Sequence, residues 1–325
     1  MLAFNRKYTV HRHVLRGLAP LRSGFRIRLM DDLDIERILE LRKVVRWSAD
    51  PNAFDLLRGM REARWALAET HDGAVAGMVG AVPLGEIGIL CHLAVHHDYR
   101  KMGLGVGLSA WAVSYLRSQG AQVVRLDATR QAEGLYSSLG FQPAFRRFTY
   151  RLEGAPLRAW SREAWGKRST WSRSGRSCDS GLRVSPLVFD DLPELYGVDR
   201  WSFGADRSTL ILSTLRLHPG WGLIARDASG RVNGYLIKSA SGTRTRVGPF
   251  MAAEPSVARA LLSYALQANG STSSVEVSTA GEGQVQVLLE EFGFIGRQDR
   301  LRMELGKTPC TRGLQPYGTT SYLAT

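Results

Sequence analysis

The chain has 325 residues, 44% of them hydrophobic, three cysteines and a formal net charge of +13. That length suits two ordinary domains. No apolar run is long enough to span a bilayer, and Cys91, Cys178 and Cys310 are too dispersed for a disulfide framework or a zinc site. The positive charge lies outside the stretches that look folded. Residues 1–30 hold seven Arg/Lys and no acid, 154–180 hold six bases and two acids, and 307–325 hold two bases, whereas 31–153 carries 15 of each sign and 181–306 carries 13 of each. Composition therefore argues against a basic domain face for nucleic acid; the arms could bind polyanions only without specificity.

Residues 1–24 read as a basic flexible arm, with an organelle transit peptide as the alternative. The sparse cysteines point to a reducing compartment and a cytoplasmic location. Phe25–Leu29 alternates as a first strand. Asp31-Asp32 supplies a helix cap, and Ile35, Ile38, Leu39 and Val45 make one helical stripe. A shorter helix is expected over Phe54–Glu62. Strands over Arg64–Glu69 and Ala74–Val82 flank His71-Asp72-Gly73, a hairpin signal. An apolar strand, Ile87–Val95, then leads through a polar turn to a helix over Val106–Ser118, closed by Gln119-Gly120. Val123–Ala128 reads as a buried strand, Ala132–Leu139 as a short helix closed by Gly140, and Phe145–Leu152 as a last strand. Residues 154–180 read as a basic linker, although Trp160, Trp165 and Trp171 suggest that part of it packs on a domain.

The segment between the apolar strand and the long helix, Arg100-Lys101-Met102-Gly103-Leu104-Gly105, carries the chemistry. Unpaired amides of a first helical turn, the helix dipole and two cationic side chains make an anion cradle suited to a pyrophosphate. Leu108 stands where a dinucleotide fold needs its third glycine, and the Gly-Lys-Ser/Thr of a triphosphate loop is absent. With the preceding Val95-His-His-Asp-Tyr99-Arg100, the segment resembles the coenzyme A loop of the GNAT acyltransferase superfamily, and the order of elements over residues 25–153 resembles its fold.

The pattern then repeats. Arg183-Val184 and Asp190-Asp191-Leu192 echo Arg26-Ile27 and Asp31-Asp32-Leu33, and Leu288 to Phe294 echoes Leu135 to Phe141. Between the central strands of the second copy and a helix over Val257–Gln267 stands Gly248-Pro249-Phe250-Met251-Ala252-Ala253-Glu254-Pro255. It lacks the glycine signature, its prolines remove amides, and Leu289 replaces Tyr136. Phe203-Gly204-Ala205-Asp206-Arg207, Gly248-Pro249 and Arg302-Met303 are similar to the degenerate second domain of tandem GNAT-like proteins. The expected organisation is an arm (1–24), a catalytic GNAT domain (25–153), a linker (154–180), a degenerate GNAT-like domain (181–306) and a tail (307–325). The resemblance implies an α/β (α+β) class with a mixed, mostly antiparallel sheet, splayed central strands and flanking helices, duplicated.

It also implies roles. The backbone of Leu93, Ala94 and Val95 would pair with the pantetheine arm of acetyl-coenzyme A, the acyl donor, and an amide there would polarise the thioester. Arg100, Lys101, Met102, Gly103, Leu104, Gly105 and Val106 would hold the pyrophosphate. Tyr136 matches the tyrosine that protonates the departing thiolate in many members. One departure from the family is Thr129-Arg130-Gln131, where an asparagine commonly stands. Relatives often take their base from a carboxylate on the cradle strand; here the nearest acid is Glu86. His92 is the other candidate base, and a hydrogen-bonded core histidine is its alternative reading. No metal is expected. The expected activity is acetyl transfer to the primary amine of a small-molecule or amino-acid-like acceptor, with no specific nucleic acid and no membrane as partner. A noncatalytic protein that responds to acyl-coenzyme A is the competing reading.

Overall fold

A computed structural model describes residues 24–47, 60, 62–156, 176–177, 181–241, 244–266, 272–280 and 283–319. The basic arm, nearly all of the helix expected over Phe54–Glu62, and the three linker tryptophans lie outside these residues. Two compact units emerge. The first takes residues up to Ala144 together with Arg302–Pro309; the second takes Phe145–Leu301 together with Cys310–Ser321. No helix among the described residues is long and apolar enough to cross a membrane.

The first unit begins with β1 (Phe25–Leu29) and α1 (Ile35–Val44). Asp31 caps the turn between them by accepting from Leu33 N–H at 2.9 Å, and Asp34 returns the bond from Asp31 N–H at 3.0 Å. β2 (Arg64–Thr70), β3 (Val75–Leu84) and β4 (Ile87–Val95) follow as an antiparallel meander. The hairpin at His71-Asp72-Gly73 forms as expected, with Gly73 at φ +86°. The long helix α2 (Leu104–Ser118) starts two residues before its expected position and buries Leu104, Leu108, Trp111, Ala112 and Leu116, one face at helical spacing. β5 (Val123–Ala128) runs parallel to β4, and α3 (Glu133–Ser138) follows. Ile38, Leu41, Leu67, Met78 and Ala94 form a core between α1 and the sheet.

The closing strands are exchanged between the halves of the chain. From Phe145 onward, β6 (Gln142–Pro156) belongs to the second unit, where Phe148, Tyr150 and Leu152 pair with Thr279, Val277 and Val275 of β12 (Thr272–Ala280). The last residues of β13 (Ile295–Gly306) belong to the first unit, where β13 neighbours β5. Arg302 reaches Asp127 through two bonds of 2.6 and 3.0 Å, and Arg125 pairs with Glu304 at 2.8 Å. The Arg302-Met303 motif thus serves the sheet of the first unit, whereas the sequence places the closing strand of each half with its own half.

The second unit holds β7 (Arg176–Ser177), β8 (Arg183–Pro186), α4 (Leu192–Phe203), α5 (Ser208–Leu217), β9 (Gly222–Arg226), β10 (Val232–Ser241), β11 (Arg244–Ala252), α6 (Pro255–Leu266), β12 and α7 (Gln284–Glu291). β8 to β11 pair antiparallel, and β12 runs parallel to β11. The Phe203–Arg207 motif ends α4 and delivers Arg207 into the core, bonded to Asp199 at 2.7 and 2.8 Å and to the Tyr235 hydroxyl at 3.0 Å. That satisfies a cation which burial would otherwise forbid. The expected tail is not wholly unstructured: Gln315–Gly318 form a strand, β14, on β11.

Candidate functional site

In the first unit, β4 and β5 pair only over Ile87–Ile89 and Val123–Arg125. Beyond Ile89 the parallel strands separate, and among the described residues no other strand enters between them. The backbone of Leu90–Val95 is therefore unpaired on that side and offers its N–H and C=O groups to an extended ligand. On the other side, the register with β3 breaks between Met78↔Ala94 and Gly80↔Cys91, leaving one extra residue on β4. His92 lies in that bulge, at φ +54°. Leu93 and Val95 are half-buried and Ala94 is buried.

β4 ends in the turn His97–Tyr99, and the chain then reverses sharply. Arg100 is extended, Lys101 sits at φ +62° and Gly103, the N-cap of α2, at φ +85°. Two left-handed residues in four turn successive amides toward one side, which is how backbone nests for anions are built. The first helical bond is from Gly107 N–H to Gly103 O at 3.0 Å; among the described residues no backbone carbonyl accepts from the amides of 101–106. The first turn of α2 carries no acid. Arg100 is exposed, with its Nε donating to Val95 O at 3.3 Å, and Lys101 is exposed beside it. Met102 is half-buried, Leu104 buried and Val106 exposed. The arrangement is an unbonded, positively charged helix start at the open end of the splayed strands, suited to a diphosphate.

Gly105 also has a packing role. A Cβ there would stand 2.7 Å from Leu135 Cδ1, so the glycine lets α2 lie against α3. That contact brings the helix of Tyr136 up to the cradle. Tyr136 is buried, with its ring edge-on to Phe141 at 5.7 Å between centroids.

The two candidate bases fare differently. Glu86 precedes the paired end of β4, exposed, with its carboxylate accepting from Gln122 Nε2 at 3.3 Å and its carbonyl accepting from Gln122 and Val123 N–H. Six residues separate it from His92, about 20 Å at about 3.3 Å per residue. It stands at the start of the strand, where the sequence puts it, at the paired end of β4. His92 is 3% exposed, and its Nδ1 accepts the indole N–H of Trp65 at 3.3 Å. Trp65 is the partner the sequence reading missed. It lies 27 residues away, on β2, with no local pattern linking the two. Burial pushes the Cys91 thiol up to about 12, so it offers no thiolate at neutral pH.

Side-chain donors of His96, His97 and Asp98 lie within 4.8 Å of one another at the turn. His97 and Asp98 are exposed, and His96 Nδ1 already accepts from Asp98 N–H at 3.3 Å, which makes a poor ligand set.

The second unit lacks a cradle at the corresponding place. Pro255 begins α6, the Ala253 amide is spent on Asn233 O at 2.8 Å, and the Glu254 carboxylate, an anion itself, accepts from Ser256 Oγ at 2.8 Å beside the helix start. Leu289 occupies the Tyr136 position, fully buried.

Comparison with known proteins finds an acetyltransferase domain in each half of the chain. A model described as the acetyltransferase (GNAT) family matches residues 33–141, and one described as an acetyltransferase (GNAT) domain matches residues 196–318. A Bacillus subtilis (strain 168) protein named as a candidate acetyltransferase is 27% identical over 136 residues, 40% of this chain and 89% of that protein. Among solved structures, a candidate acetyltransferase from Pyrococcus horikoshii superposes with a TM-score of 0.71 at 19% identity, covering 93% of this chain and 96% of its own. A tandem GNAT protein from the clavulanic acid biosynthesis pathway gives 0.56 at 13% identity, covering 88% and 99%. At these identities the structural matches speak for the fold, and the two family matches identify its halves. The chain belongs to the GNAT family and carries two of its domains in tandem.

Proposed function

We propose that the first unit transfers an acetyl group from acetyl-coenzyme A directly to a primary amine, with no acyl-enzyme intermediate. The observation that carries this reading is the run of amides from Lys101 to Val106, free of backbone acceptors among the described residues, directly after a strand that parts from its neighbour. The diphosphate rests on those amides and on Arg100 and Lys101, and the pantetheine arm extends along Leu93, Ala94 and Val95. A β4 amide near the bulge donates to the thioester oxygen as charge develops there. The amine nitrogen bonds to the carbonyl carbon, the C–S bond breaks, and the thiolate takes the Tyr136 hydroxyl proton. A phenol of ordinary pKa near 10 is well matched to a thiol. The proton lost by the amine leaves through water, since Glu86 lies outside the opening and the His92 Nδ1 is engaged by Trp65.

That absence of an evident base favours, as a second reading, a binding protein that responds to acyl-coenzyme A without turnover. Incubation with acetyl-coenzyme A and a panel of amines, polyamines, amino acids and peptides separates the two. Acetyl transfer gives free thiol and a product heavier by one acetyl group, whereas the binding protein gives neither while still taking up the thioester. The acceptor we propose is a small amine or amino-acid-like molecule. The free Cys91 and Cys310 suit a reducing compartment, and we propose the cytoplasm.

A further inference from the structure

The second unit contains the same opening as the first, and it is filled. β11 and β12 pair in parallel over Arg244–Val247 and Ser274–Val277, then part. β14 pairs antiparallel with β11, with Gly318 opposite Phe250, Pro316 opposite Met251 and Gln315 opposite Ala252. On its other side, Thr319 N–H donates to Ser278 O of β12 at 2.7 Å. The C-terminal segment therefore bridges both separated strands with main-chain bonds, as an extended ligand would.

Side chains add specificity. Tyr317 is 2% exposed, its ring 5.5 Å from that of Phe250. A Cβ on Gly318 would come within 3.1 Å of Phe250 Cβ and Val247 O and within 3.2 Å of Val277, so the groove admits only glycine there without a shift. Leu314 is buried and its N–H donates to Ser202 Oγ at 3.0 Å; Arg147 donates to Thr319 Oγ1 at 2.6 Å. Just upstream, Lys307–Pro309 and Thr311–Gly313 are exposed or half-buried coil or bend.

We propose that the opening of the second unit is a peptide-binding groove, and that residues Leu314–Thr319 of this chain are its resident ligand, lying where a thioester carrier arm would lie in a catalytic copy. The second domain has exchanged acyl-carrier recognition for recognition of an extended segment with a buried tyrosine followed by glycine. This goes beyond the acetyl-transfer reading and stands if that reading fails.

The test uses the full chain with a protease recognition sequence replacing Thr308–Thr311, cut after folding. The severed C-terminal segment then remains as a noncovalent ligand. A fluorescein-labelled peptide copying residues 312–321 should displace it and bind saturably, at one peptide per chain. The same peptide with Tyr317→Asp or Gly318→Val should bind at least about tenfold more weakly. Hydrogen exchange at Phe250–Ala252 should be slow in the uncut chain, faster after the severed segment is diluted away, and slow again with added peptide. If the cut chain unfolds, uncut full-length Tyr317→Asp serves instead: it should lose protection at 250–252 and regain it with the wild-type peptide. Failure of the peptide to bind or to restore protection in either protein would overturn the proposal, leaving β14 an ordinary strand of the sheet.

Discussion

Trp65 donates its indole N–H to Nδ1 of His92 at 3.3 Å, with the rings stacked at 6.2 Å between centroids. An indole can only donate, so Nδ1 accepts and the proton of the neutral imidazole resides on Nε2. The indole crosses β3 at Gly80, where a Cβ would stand 2.7 Å from Trp65 Nε1 and 2.8 Å from Cys91 Sγ. His92 is thereby set as a donor. Protonating it further would forfeit the bond from Trp65. Nitrogen NMR of His92 should therefore report the Nε2–H tautomer, and Trp65→Phe should release it into a mixture. His92→Gln, whose amide can donate near the Nε2 position, should keep turnover within about tenfold, while His92→Ala should lose more. Equal losses in the two variants would show that a donor at the Nε2 position is not what turnover requires of His92.

In the proposed transfer the Tyr136 hydroxyl supplies the proton of the leaving thiolate, and Tyr136→Phe removes it. Turnover should fall by about 100-fold or more with acetyl-coenzyme A affinity nearly unchanged. The ring should still pack on Phe141, so the melting temperature should stay close to that of the parent. Normal turnover would reduce Tyr136 to a packing residue.

Exchange of closing strands makes one ion pair critical to the first unit. Arg302 and Asp127 have side chains 15% and 4% exposed. Arg302→Met leaves the aspartate buried without that partner, at a cost of about 3–5 kcal/mol. Adding Asp127→Leu should recover most of it. Denaturant unfolding of the single and double variants measures both, and a neutral single variant would show that β13 does not hold the first sheet together.

Acid should weaken the first unit through Glu69. Bonds from Arg28 first, then from Arg37 and Arg26, hold its carboxyl down to about 2 from an ordinary 4.5, although burial opposes them. A depressed carboxylate adds stability that is fully present above its unfolded pKa and is lost as pH falls through the folded one. The contribution, on the order of 3 kcal/mol at neutral pH, should disappear between about pH 4.5 and pH 2. Glu69→Gln should be less stable than the parent at pH 7 and equal to it near pH 2, measured by urea unfolding across that range.

Much of this was legible in the residues. Ile87–Val95 is an apolar run broken only by His92 and ended by a charged turn, and it is β4 to the residue. Val123–Ala128 is likewise matched by β5, whose Val123, Val124, Leu126 and Ala128 are buried beside the ion-paired Arg125 and Asp127. What escaped depends on the third dimension. Phe145–Leu152 alternates as any strand does, and alternation does not say which sheet receives it. Gln315-Pro316-Tyr317-Gly318 contains the two residues poorest in strand propensity, and forms β14 only because an open pair of strands is there to bond it. The close approach of Leu135 to Gly105 likewise has no local sequence signal, since the two lie thirty residues apart.

Calorimetric titration of the full chain with acetyl-coenzyme A, beside the Gly103→Val variant, addresses the cradle itself. Gly103 caps α2 at φ +85°, where a β-branched residue is strained, so the variant should turn the amides of 101–106 away from one another. The expected result is one thioester per chain, bound at least about tenfold more weakly by the variant. Two thioesters per chain, none, or equal binding by both proteins would contradict a phosphate cradle in the first unit alone.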